Sequence, residues 1–119
     1  MSVQGMDADT AETLAGVVRL LRRAAELVWT AADAEGVESP RQVLALGIDL
    51  AGDEARNLLP DAISTDGPVP VGDEPADLLR SAEQLLRRTP IPGVWAAALD
   101  ALRARVAALV WEANTSVDG

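Results

Sequence analysis

Leu14, Val17, Leu21, Ala24, Val28 and Ala31 recur at alternating spacings of three and four, and Trp95, Leu99, Leu102, Val106, Leu109 and Ala113 repeat the pattern near the other end of the chain. An α-helix turns once in about 3.6 residues, so a period close to 3.5 keeps one row of side chains on one face, the heptad form of a buried seam. A strand needs a period of two, and neither row has it. The supply of residues agrees: 22 Ala and 16 Leu stand against no Phe and no Tyr. The chain is rich in the best helix formers and poor in the aromatics that suit a pleated sheet. An all-α fold is expected, and 119 residues make one domain that can bury roughly two thirds of its unfolded surface without a metal or disulfide.

The punctuation between apolar rows predicts four helices, at about 8–35, 40–59, 74–88 and 92–114, with residues 1–6 and 115–119 frayed. Asp7, Asp9 and Glu12 suit the positive N-terminal end of the first helix, and Gly36 is a stop signal. Val18, Ala25 and Ala32 flank its seam on one side, Leu20 and Leu27 on the other, an arc wider than a two-helix seam requires. Ser39, Pro40 and Gln42 form a start signal for the second helix, with a capping Ser, a Pro at the first helical position and a capping-box Gln. Leu44, Ile48, Ala51, Ala55 and Leu58 are its stripe; Val43, Leu46 and Leu50 lie on the other side, which predicts that its first half is covered all round. Residues 60–75 hold four Pro, two Gly and four acids, too many breakers for regular structure and a long connection for a compact domain. In the third helix Leu78, Leu79, Ala82, Leu85 and Leu86 face the core, and Arg87 and Arg88 close it in line with the dipole. The expected architecture is a four-helix bundle made of two αα-hairpins joined by the long Pro/Gly/Asp-rich loop.

Two tryptophans sit off the seams. LVWTA at 27–31 and LVWEA at 109–113 each place Leu and Val on or beside a buried row and the Trp outside it. On the last helix Ala97, Ala101, Ala104, Ala108 and Trp111 recur at four, three, four and three, where a solvated face would carry Glu, Lys, Arg or Gln. That helix therefore has two apolar faces. Trp29, Ala97, Ala101, Ala104, Ala108 and Trp111 are the candidate interface residues, because small residues allow close helix approach and a Trp fills a pocket on a partner.

Absences narrow the chemistry. With no Cys, His, Lys or Tyr, most general-base and nucleophile arrangements have no residues to use, and a zinc site would have only carboxylates and water. No cofactor is expected. The acids with the best spacing for a divalent metal are Asp49, Asp53 and Glu54, the first two one turn apart on the second helix. Their ordinary role is a solvated, ion-paired face. Arg19, Arg22 and Arg23 lie on the polar arc of the first helix and are the candidates for holding an anion, although Arg22 is also spaced to pair with Glu26.

A net charge of −9 repels phosphate backbones and anionic lipid surfaces, so neither nucleic acid nor a membrane is the expected partner, whereas a second copy, or a protein with a basic surface, is. All ten basic residues are Arg, a choice that fits a GC-rich bacterial genome as readily as a structural demand. The first ten residues have no basic then apolar run, which predicts no signal peptide and a cytoplasmic protein. The expected function is non-enzymatic: association with other proteins as an adaptor, an immunity-type inhibitor or a regulatory subunit, as a homodimer through the last helix. The alternatives are a Mg²⁺- or Mn²⁺-dependent hydrolase of phosphorylated small molecules at Asp49, Asp53 and Glu54, and a binder of small apolar ligands with a pocket between its helices.

Overall fold

The computed structural model describes residues 8–36, 41–59, 74–89 and 96–118. They form four helices: α1 (Ala8–Glu35), α2 (Arg41–Leu58), α3 (Pro75–Arg88) and α4 (Ala96–Asp118). The first three agree with the expected spans to within a residue or two. α4 differs. Its helix runs on to Asp118 through residues expected to fray, since Asn114 to Asp118 contain neither Gly nor Pro. Its expected first turn, with Trp95, lies outside the described residues, as do Ser39 and Pro40 of the α2 start signal.

The helices close a ring in which α1 packs on α2 and α3, and α4 packs on the same two. Contacts fix their directions. Leu21 meets Gly52 while Trp29 reaches Asp49, so α2 descends beside α1. Gly47 meets Leu109 while Glu54 meets Arg105, so α4 ascends beside α2. Arg103 reaches Leu86 while Arg80 reaches Asn114, so α3 descends beside α4. The order is up, down, down, up. Since α2 and α3 run the same way from diagonal corners, Leu59 and Glu74 lie at opposite ends of the bundle. Eighteen or so helical residues at ~1.5 Å each separate their levels, on the order of 25 Å. A tight turn could not join them, which is the physical reason for so long a segment between α2 and α3.

The core is the two predicted seams meeting in the middle. Leu14, Val17, Leu21, Leu99, Leu102 and Val106 are fully buried, and Ile48, Leu79 and Leu86 complete the layers from α2 and α3. Each such leucine contributes about 2–3 kcal/mol relative to an exposed one. Ala31, at the end of the α1 seam, is only half-buried, and Ala32 takes its place inside. Gly47 permits the close α2–α4 approach: a Cβ there would come within 2.8 Å of Leu109 Cδ2.

The helix ends are closed by identifiable groups. Gly36 adopts φ +107° and donates its N–H to Ala32 at 3.0 Å, the left-handed stop for which glycine is suited. Gln42 donates its side-chain amide to the Gly36 carbonyl at 3.4 Å, and Arg41 pairs with Glu35 across the same corner. At the end of α3, Thr89 Oγ1 donates to the Leu85 carbonyl at 2.7 Å. Arg103 of α4 donates to the carbonyls of Leu86 at 2.9 Å and Thr89 at 2.8 Å. The Leu86 carbonyl also accepts from the Thr89 backbone N–H at 3.3 Å, so Arg103 adds a second donor at a helix end short of intrahelical ones.

One expectation is overturned. Val43, Leu46 and Leu50 are not covered: they are 68%, 53% and 54% exposed. Among the described residues α2 packs mainly on α1 and α4, both of which lie toward the core, so its outer side meets solvent.

Candidate functional site

The outward side of α4 follows from the inward one. Leu99, Leu102, Val106, Leu109 and Ala113 are buried, and half a turn away every member of the other row, Ala97, Ala101, Ala104, Ala108 and Trp111, is exposed. Trp111 shows 68% of its surface. The row is flat for its first three turns, because methyl groups hardly rise above the backbone, and ends in one large indole. Asp100, Arg105 and Glu112 border it. Arg105 is drawn sideways into a 2.8 Å ion pair with Glu54 of α2, and Asp100 lies 3.6 Å from Arg103, so neither charge crosses the alanines.

Trp29, grouped by sequence with this surface, is placed elsewhere. It lies between α1 and α2, half-buried against the core, and its indole N–H donates to Asp49 Oδ2 at 2.8 Å. The same bond engages one of the three acids singled out for metal binding. Glu54 is held by Arg105, and Asp53 is exposed on α2. Among the described residues no group of three acids converges closely enough to hold a metal ion.

The three arginines are divided. Arg22 and Arg23 line an open groove of about 560 Å³ along the α1–α2 seam together with Glu26, Trp29, Thr30 and Asp49; Arg19 does not line it. Glu26 lies 3.5 Å from Arg23, its i,i+3 neighbour. A smaller recess of about 80 Å³ continues the seam past Asp49 to Gly52 and Asp53. Carboxylates and guanidinium groups alternate along this groove, so it offers no uniform charge to a ligand.

Sequence reasoning missed two features here. The outer stripe of α2 was visible as Val43, Leu46 and Leu50 but was assigned to the interior. Arg103 carried a weak signal, a basic residue beside the buried row of α4. No helix among the described residues is long and apolar enough to cross a membrane. Comparison with known proteins finds no match to a family model, to a curated protein or to a solved structure.

Proposed function

We propose that this chain is a non-enzymatic helical-bundle protein that acts through protein–protein association, with the outer face of α4 as its contact surface and a second copy as its partner. One observation carries the reading: the helix is buried along Leu99–Ala113 and equally apolar, yet exposed, along Ala97–Trp111. Exposed single apolar residues are common, but a continuous row of five on one face, in a chain with 19 acids available for solvation, is the pattern of a surface meant to be covered. Alanines let a second helix approach closely, and an exposed Trp supplies the kind of anchor that dominates interface energies. An adaptor, an inhibitor of the immunity type or a regulatory subunit, working in the cytoplasm, would use such a surface.

Light scattering on the eluting protein tests this. The wild type at several hundred micromolar should run at twice the chain mass, and Ala104→Glu or Trp111→Glu should return it to the single-chain mass with unchanged helical circular dichroism. A wild type that stays a single chain throughout that range ends the proposal.

A further inference from the structure

All four large apolar side chains exposed among the described residues, Val43, Leu46, Leu50 and Trp111, belong to α2 and α4. The exposed residues of α1 and α3 include none: Glu12, Arg22, Glu26 and Asp33 on one, Asp77, Arg80, Gln84 and Arg87 on the other. α2 and α4 are neighbours in the ring, and their levels are set by Gly47 against Leu109 and Glu54 against Arg105. Residues 43–50 of α2 therefore stand beside about residues 106–113 of α4. On each of these neighbouring helices the exposed row is the side turned away from the core. Ala108 stands near the level of Leu50 and Trp111 near that of Leu46, while Ala101 lies past the Glu54–Arg105 pair toward the other end of the face.

From this geometry we infer that the self-association surface is the whole α2–α4 side of the bundle, with Val43, Leu46 and Leu50 as much a part of it as the alanine row, and that its occupant is a second copy of this chain related by a two-fold axis. The inference rests on the proposed function and extends it to a second helix.

Area separates the one-helix surface from the two-helix one. The α4 row by itself exposes on the order of 400 Å² per chain, so a pair would bury about 800 Å² in total, the scale of incidental contacts. Adding the α2 stripe brings each chain to on the order of 700 Å² and the pair to about 1,400 Å², inside the ~1,200–2,000 Å² range of specific interfaces. Shape points to a second copy as the occupant. Val43, Leu46, Leu50 and Trp111 stand at one end of the face, and Ala97 and Ala101 lie flat at the other. A two-fold axis through the middle sets the raised end of each copy on the flat end of its mate, the self-complementarity an isologous pair requires. Charge agrees: none of these side chains is ionised, so a basic partner would find nothing there to pair with. Charges begin at the border, with Glu112 beside Trp111 and the Glu54–Arg105 pair in the seam.

Sedimentation equilibrium on four proteins tests the inference: wild type, Ala104→Glu, Leu50→Glu, and Ser81→Glu, which adds the same charge to the exposed side of α3. Circular dichroism and melting at low concentration verify that each is folded, as the exposure of all three positions leads one to expect. Leu50→Glu should raise the dimer dissociation constant at least tenfold, as Ala104→Glu does, and Ser81→Glu should change it less than twofold. A Leu50→Glu protein that pairs like the wild type while Ala104→Glu does not would overturn the two-helix surface and leave the proposed function standing. Equal loss in Ser81→Glu would overturn it by making added charge the cause. A wild type that never pairs would overturn both.

Discussion

The segments LVWTA and LVWEA differ by one residue in five, yet their tryptophans have opposite fates. Trp29 is half-buried between α1 and α2 with its indole N–H on Asp49; Trp111 is 68% exposed on the outside of α4. Both occupy the position after a Leu-Val pair on a long helix, and both fall outside the main seam. What differs is the neighbour. Beside Trp29 lies a helix that presents a short acid at the right level, whereas Trp111 sits on the side of α4 opposite its buried row. An off-seam apolar residue is therefore neither core nor interface by its own sequence; the helix opposite decides.

The largest consequence to measure is the contrast between the two alanine variants. At low micromolar concentration, Trp29→Ala should lose about 2 kcal/mol in urea unfolding, roughly half the cost of truncating a fully buried aromatic. Trp111→Ala under the same conditions should stay within about 0.5 kcal/mol of the wild type, as exposed substitutions do. Equal losses would mean that both indoles serve the single chain, and the distinction between them would dissolve.

A smaller effect isolates the hydrogen bond. Trp29→Phe keeps an aromatic ring and removes the N–H, so it should cost about 1 kcal/mol, the usual net value of one such bond. A double-mutant cycle with Asp49→Ala should return most of that as coupling energy. Additive losses would place the stabilisation in packing alone.

The smallest effect exchanges the local contexts. Thr30 is exposed, and its hydroxyl only bonds back to the Glu26 carbonyl at 2.9 Å. Thr30→Glu, which turns LVWTA into LVWEA, should shift stability by less than about 0.5 kcal/mol and leave the Trp29–Asp49 coupling intact. Loss of that coupling would show that the five-residue context, and not the opposing helix, positions the indole.

Much of the fold was legible because helices announce themselves locally. The α1 and α4 seams were readable from spacing, and Gly36 as a stop from its freedom at positive φ. The alanine row ending in Trp111 was readable for the same reason, since the back of a helix is fixed once its front is known. The outer stripe of α2 was misread because counting apolar residues measures how much a helix could bury, not how many neighbours it has. Arg103 was hardly readable at all. Its role depends on the α3 carbonyls of Leu86 and Thr89, which are far from it in sequence and reach it only after α3 and α4 have paired.

By itself, then, the order of residues determined what each helix is: where it runs, which row it buries, and that α4 is apolar on both sides. These follow from a period of ~3.6 residues and from intrinsic backbone preferences, which act over a turn or two. Only the tertiary structure decided the rest: that α2 and α3 descend together, that Asp49 lies under Trp29, and that α2 and α4, the helices with bare apolar rows, are neighbours. Those are matters of which helix stands beside which, and at what level. Such relations are set by the packing of whole faces across the core, and no short stretch of sequence contains them.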